Sequence, residues 1–326
     1  MTARLYRLIH QLADGRFHSG EALGKAMGVS RAAVWKMLPK LEALGLEVYA
    51  VSGKGYRLAR SFEPLEREHI LGRLDSESRA LVAELITLYQ TDSTNQQLLE
   101  AARTGLPSGS VCVAEFQTGG RGRRGRQWLS PYGSNVYLSL LWRFQQGTAH
   151  LGGLSLAVAV ALMRMLLELG VEGAGIKWPN DILLEGRKLA GVLIDVVGEN
   201  SGPCYAVIGV GLNYRMPDEA GEQIDQPWTD LWQQGVRTGR NQLVGRLLHH
   251  LVKVVKEYQA GGLEAFRGEW SHYDITRDHE VTIHHGHGLI HGIARGVDQQ
   301  GLLLLEQPEG VHRYAAGEVS LEKGMK

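Results

Sequence analysis

Positions 119 to 126 hold only Gly and Arg, four of each, and Gln127 and Trp128 follow directly. Glycine lets the backbone approach a ligand and turn where other residues cannot. Arginine carries a permanent charge on a planar fork that matches phosphate or carboxylate oxygens. So many donors make a poor core and a good anion cradle. The run occurs once, with strand-like stretches at 111–117 and 135–142 on either side. That context argues against a disordered RNA-binding segment, and a localisation patch would sit on a tail. Gly120, Gly122 and Gly125 have dinucleotide-fingerprint spacing, but such a fingerprint opens a helix. Trp128-Leu-Ser-Pro-Tyr-Gly133 does not, and no Gly-Lys-Ser/Thr follows. The expectation is a phosphate-binding loop between two strands.

Other polar residues cluster where a core would not want them. Ile176 to Leu183 reads as a strand broken at Pro179, with Lys177, Trp178, Asn180 and Asp181 at the break. Asp181 is the candidate Mg²⁺ ligand, since Mg²⁺ takes few protein carboxylates and adds phosphate oxygens. Residues 188–195 form a strand with Gly191 inside it, where a glycine often marks close approach by a ligand. Residues 205–213 form another, without the third glycine and helix of a nucleotide fingerprint. Asp92, Ser93, Thr94 and Asn95 precede a helix at 96–103. They are sufficient as ordinary N-cap residues, although helix N-termini also attract anions.

Taken in order, Gly120-Arg-Gly-Arg-Arg-Gly-Arg126 with Trp128, Lys177-Trp-Pro-Asn-Asp181, Arg187-Lys-Leu-Ala-Gly191 and Gly209-Val-Gly-Leu-Asn213 resemble the biotin protein ligases. With the N-terminal unit described below, the whole chain is similar to ligases that also repress biotin operons. The resemblance implies ATP-dependent joining of biotin to AMP, with Mg²⁺, and transfer to a lysine of a biotin carboxyl carrier protein. It implies biotin contacts from Ser93, Thr94, Asn95, Gln117, Gly120, Arg121, Gly122, Arg123, Lys188 and Gly191. ATP contacts would come from Arg123, Arg124, Arg126, Trp128 stacking on adenine, Asn180, Lys188 and Asn213. Arg121, Arg123 and Lys188 would carry the catalytic charge. A family Arg loop of this kind would order on ligand. Gln127 stands where the family often has a basic residue.

These residues need elements to hold them. In residues 1–60 ten Lys/Arg face four Asp/Glu, a net +6 on a chain of net zero, so a basic head sits on an acidic body. Leu5, Leu8, Ile9 and Leu12 recur at helical spacing. A second helix opens at Ser19 and a third at Ser30, joined by Gly28-Val29; a hairpin turns at Gly53-Lys54-Gly55. That order predicts a winged helix-turn-helix over 1–62. Ser30, Arg31, Ala32, Trp35, Lys36, Lys40 and Lys54 are its DNA candidates. Trp35 is equally readable as core, and Pro39 predicts a kink or a later helix start.

Residues 63–272 are expected as a mixed α/β catalytic body, with an apolar helix at 151–169 and an amphipathic one at 243–258. Residues 273–326 carry short strands and turns that predict an SH3-like β-barrel. There the resemblance places Glu318 facing the Arg loop, while His284, His285 and His287 read as a solvated hairpin turn. The fold class is therefore α/β with α+β character in three units. Two cysteines, both in apolar runs, make no disulfide framework. No signal-peptide pattern opens the chain, and Arg164 and Glu168 interrupt its most apolar stretch. The cytoplasm is the expected place, with operator DNA, the carrier protein and a second copy of the chain, when biotinyl-AMP is bound, as partners. Lys188→Ala should abolish biotin-dependent ATP–pyrophosphate exchange while leaving DNA binding by the head intact. Normal exchange in that variant would remove Lys188 from its assigned role.

Overall fold

The computed structural model describes residues 2–198, 201–285, 288–315 and 317–321. The head consists of α1 (Ala3–Leu12), α2 (Gly20–Met27), α3 (Arg31–Glu42) and a hairpin of β1 (Val48–Val51) and β2 (Gly55–Leu58). Thr2, Ser19 and Ser30 cap the three helices by accepting from the amides of Leu5, Ala22 and Ala33. Leu8, Ile9, Leu12, Val34 and Leu41 close a small core. The winged helix-turn-helix reading holds. Pro39 neither delays nor interrupts α3, which starts at Arg31. The proline lies in its last turn, where Ala43 N–H still reaches Pro39 O at 3.1 Å. Trp35 is 64% exposed and so is no core residue.

The body begins with α4 (Arg67–Leu71), α5 (Ser76–Leu81), β3 (Glu84–Leu88), α6 (Thr94–Arg103), β4 (Ser110–Ala114) and β5 (Val136–Phe144). Then come α7 (Leu154–Glu168), β6 (Ala174–Lys177), β7 (Asp181–Leu184), β8 (Arg187–Gly198), β9 (Cys204–Leu212), α8 (Asp218–Gly221), α9 (Arg240–Gly261) and α10 (Glu264–Tyr273). Seven strands form one sheet in the order β3-β4-β5-β9-β8-β7-β6, antiparallel throughout except for the β3–β4 pair. The stretch Thr148–Glu168, α7 with the turn before it, is apolar and long enough to cross a membrane, yet Leu156 to Met163 are buried against α9 and the sheet, as a core helix requires. The expected broken strand at Pro179 is instead a hairpin. β6 and β7 pair antiparallel around a turn that contains a cis Trp178–Pro179 bond. Because the second half of that motif returns on itself, Lys177 and Asp181 become cross-strand partners.

The last unit holds β10 (Glu280–His285), β11 (Gly288–Val297), β12 (Leu303–Gln307), β13 (Gly310–Tyr314) and β14 (Glu318–Leu321). They pair antiparallel in the order β13-β12-β11-β10-β14. His284 and His285 are strand residues, not turn residues, opposite Leu289 and Gly288; His287 lies outside the described residues. No group of three or more His, Cys, Asp or Glu suited to a metal ion occurs among the described residues.

A buried ion pair pins the segment that follows the head. Arg240, 1% exposed, donates to Glu115 Oε2 at 2.7 Å and to the carbonyls of Glu63 and Asn135. Glu115 Oε1 accepts the amide of Leu65 at 2.6 Å. The segment that follows the head is thus pinned, and Asn241 pins it again through Pro64 O and the Glu66 amide. Removing one partner of a buried pair leaves the other charge unpaired. Arg240→Ala should therefore lower stability by about 3–5 kcal/mol in urea denaturation. A loss below about 1 kcal/mol would mean that water reaches Glu115.

Candidate active site

The anion-binding cavity lies on the sheet face that carries α6, and its floor is made by what is missing. Gly191 pairs with Gly211 across β8 and β9, and Gly209 pairs with Leu193. A Cβ on Gly211 would stand 2.4 Å from Trp128 Cε2, and one on Gly209 2.3 Å from Asn95 Oδ1. Only glycine lets an indole and an amide lie on this surface. What approaches Gly191 is side chain: Trp128, the Lys188 stem and Asp181 Oδ1, all within 3.5 Å of its would-be Cβ.

The Gly/Arg run folds over that floor as a flap. Arg121 and Gln127 form a bridge, Gly122 N–H donates to Arg126 O at 2.7 Å, and Trp128 N–H donates to Gly120 O at 2.9 Å. Arg124 and Gly125 adopt φ of 55° and 74°, which closes the tip. Gly120 has no room for a side chain between Trp128 O and Ser130 Oγ. Each guanidinium of the loop has an anchor. Arg121 meets Asp195 at 3.1 Å, and Arg123 donates to Asn180 Oδ1 at 3.3 Å. Arg124 donates to His284 O at 2.9 Å, and Arg126 grips the Glu318 carboxylate. All four arginines line the cavity, and Arg124 and Arg126 also reach the C-terminal sheet.

Opposite the flap, Lys188 Nζ lies 2.8 Å from Asp181 Oδ2 and 5.6 Å from the centre of the Trp128 ring. Lys177 Nζ is 4.0 Å from the same carboxylate. Burial pushes the Lys177 pKa down, against the pull of Asp181, and burial likewise lowers that of Arg123. Asp181 Oδ1 and Trp128 Nε1 are buried and have no hydrogen-bond partner among the described residues. Asn180 spends its amide on Val192 O at 2.7 Å, and Asn213 spends its own on Thr229 O at 3.1 Å. Asn213 nevertheless lines the outer pocket beside Trp128 and Lys188.

The start of α6 is not the plain cap that Ser93 permits, since Ser93 makes no capping hydrogen bond. Thr94 N–H donates to Gln117 Oε1 at 2.9 Å, and Gln117 Nε2 donates to Ser130 Oγ at 3.0 Å. Ser93, Thr94, Asn95, Gln117, Arg121, Gly122, Arg123, Lys188 and Gly191 all line one cavity of about 110 Å³. Sequence reasoning missed Leu193, which lines the same cavity, and Ser139 and Asp195, which hold the lining residues Thr94, Asn95 and Arg121. Alternation along β8 puts 191, 193 and 195 on one face, so the signal existed once Gly191 was read as a floor residue. Ser139 carried no signal, because its role depends on lying opposite Gly209.

The DNA candidates stand apart from this cavity. Arg31, Ala32, Trp35, Lys36 and Lys40 are exposed along α3, Ser30 caps it, and Lys54 is exposed at the hairpin tip.

Burial pushes the Glu318 carboxyl up, but Arg126, Lys177 and His284 outweigh it and hold it below its ordinary value of 4.5. A depressed acid stabilises the fold above its unfolded pKa and loses that contribution as pH falls through the folded value. Glu318→Gln should therefore match the wild type in acid and be less stable by about 0.2–1 kcal/mol at neutral pH. Thermal unfolding across pH measures this, and a constant difference at every pH would refute the ion-pair origin.

Comparison with known proteins agrees with this geometry. Residues 87–213 match the Biotin/lipoate A/B protein ligase family, residues 4–57 an HTH domain, and residues 278–322 the Biotin protein ligase C terminal domain. The Bifunctional ligase/repressor BirA of Escherichia coli is 40% identical over 98% of each chain. The Bacillus subtilis protein of the same name is 32% identical over 95% of each. Among solved structures, the biotin protein ligase from Aquifex aeolicus in complex with biotin and ATP superposes with a TM-score of 0.62 at 27% identity. That match covers 74% of this chain and all of the other. With a winged head, a mixed sheet under an arginine flap and a C-terminal sheet gripping it, the chain belongs to the family of bifunctional biotin protein ligase/repressors.

Proposed function

We propose that the protein activates biotin with ATP to biotinyl-5′-AMP and passes the biotinyl group to a lysine of a biotin carboxyl carrier protein. The observation that carries this is the convergence of Arg121, Arg123, Lys177 and Lys188 on one cavity floored by glycine. The biotin carboxylate is itself the nucleophile. Its oxygen bonds to the α-phosphorus as pyrophosphate leaves, and the carrier amine then bonds to the acyl carbon as AMP leaves. Neither step needs a Ser, Cys or His nucleophile; both need charge stabilisation and positioning.

Lys188, aimed by Asp181, neutralises the α-phosphate and the activated carbonyl. Arg121 and Arg123 hold carboxylate and phosphate oxygens together. Ser93, Thr94, Asn95 and Gln117 hold the biotin end beside Gly120, Gly122 and Gly191. Trp128 stacks on adenine, with Asn180, Asn213, Arg124 and Arg126 toward the nucleotide. A cavity of about 110 Å³ is small beside the roughly 300–1,000 Å³ of typical ligand sites, so the flap and Trp128 must shift to admit substrates. Mg²⁺, when bound, screens the phosphate charges. Asp181 fits it as a single carboxylate, since its Oδ1 is buried without a partner among the described residues.

The head is read as a repressor that contacts operator DNA through Ser30, Arg31, Ala32, Trp35, Lys36, Lys40 and Lys54. A homodimer formed when biotinyl-AMP is bound would present two heads to two half-sites. The cytoplasm suits both activities.

Incubation with biotin, Mg-ATP and a carrier domain, read by intact mass, tests the reading. The expected result is one biotinyl group per carrier. Preference for lipoate in pyrophosphate exchange would make it a lipoate-type ligase. Biotin binding without exchange or labelling would make it a non-catalytic, biotin-sensing regulator.

A further inference from the structure

We infer that the cavity between the head and the body is a second ligand site, which takes a small monocarboxylate with an apolar body. This cavity of about 300 Å³ shares no lining residue with the glycine-floored site. The head contributes Leu46, Leu58 and Arg60 to it, and the body contributes Tyr132, Arg215 and Arg240. Three donors on these lining residues have no hydrogen-bond partner among the described residues: Tyr132 Oη, Arg215 Nε and Arg240 Nε. Tyr132 is 3% exposed and Arg240 1%. Buried polar groups are nearly always paired, so three orphaned donors around one cavity require an acceptor.

The charge at this junction is poorly neutralised. Arg215 donates to Ser61 O at 3.1 Å, Arg60 to Met216 O at 3.4 Å and Arg237 to Trp232 O at 2.7 Å. Among the described residues none of these three forms an ion pair with a carboxylate, whereas Arg240 has Glu115. Burial and the charges of Arg60 and Arg237 push the Arg215 pKa down, and an anion among them relieves that repulsion. The acids that line the cavity, Asp14, Glu47, Glu63 and Glu219, are all exposed and so stand at its mouth. They repel a phosphate dianion or a nucleotide more than a single carboxylate. Leu46, Leu58, Phe62, Pro131 and Tyr214 supply apolar wall for a short hydrocarbon body. The volume is at the low end of the roughly 300–1,000 Å³ of ligand pockets, which suits a molecule of that size. A carboxylate bound there touches both units and holds the head in its seat, since a ligand stabilises the state that binds it.

Calorimetric titration of the full-length protein with straight-chain carboxylates from acetate to octanoate tests this, with one equivalent of biotin present to fill the first cavity. The expected result is saturable one-to-one binding by at least one member of the series. Inorganic phosphate should bind at least about tenfold more weakly, because of the acids at the mouth. The bound carboxylate should lower deuterium uptake at residues 58–63 and 131–134, which line the cavity. Arg215→Gln should weaken binding about tenfold or more, as loss of a hydrogen bond between charged groups does. Tyr132→Phe should weaken it about three- to tenfold, and biotin binding should be unchanged in both variants. Absence of binding by every member, wild-type affinity in either variant, or phosphate binding as tight as the carboxylates would overturn the inference. Should Arg215→Gln fail to fold, Tyr132→Phe, which removes a single oxygen, decides alone. If the wild-type protein does not bind biotin, the functional reading falls, while deuterium uptake at 58–63 still decides the second site.

Discussion

Gathering positive charge in a small cavity is costly, and the site depends on how that cost is met. Arg121, Arg123, Lys177 and Lys188 line one pocket. Like charges at such range repel strongly where water is scarce. Three carboxylates supplied by distant parts of the chain offset the repulsion: Asp181 between the two lysines, Asp195 at Arg121, and Glu318 at Arg126. Arg121, Arg126 and the two lysines are thus held by carboxylates and Arg123 by Asn180, yet they remain available to an incoming anion. An arginine run without these partners would have nothing to exchange its conformational entropy for.

The floor supplies the second condition. Electrostatic help works only if the charged groups and the flat rings lie close to the sheet. Antiparallel pairing sets Gly191 against Gly211 and Gly209 against Leu193 and Ser139. Side-chain alternation aims that empty patch at α6 and the flap, while the other face, with Val192, Ile208 and Val210, packs against α7 and α9. One face of a single sheet thus makes the core, and the other makes the chemistry.

The head is not loosely tethered. Tyr132 of the body packs among the head's own core residues, and Tyr6 stacks on Tyr89 at 3.4 Å. Glu115, which anchors the segment after the head, is two residues from Gln117, which holds the start of α6. Events in the cavity and the seating of the head therefore share one short stretch of backbone.

Much of this was legible from residues alone. Caps and periodicity placed α1 to α3, and composition marked the flap as an anion cradle, because both are local properties. The resemblance of four short motifs then named the chemistry. What local pattern could not give was pairing. Pro179 breaks a strand in either direction, and only the sheet shows that the chain returns as β7 and brings Asp181 to Lys188. Neither Asp195 nor Ser139 belongs to a motif; their roles arise from register. Arg124 and Arg126 look identical to Arg121 and Arg123 in sequence, yet they turn to a sheet some 160 to 190 residues further on. Residue type and short-range spacing decide which groups are present and which elements they form. Which partner each charge meets is decided by long-range packing, since an ion pair depends on distance in space and not along the chain.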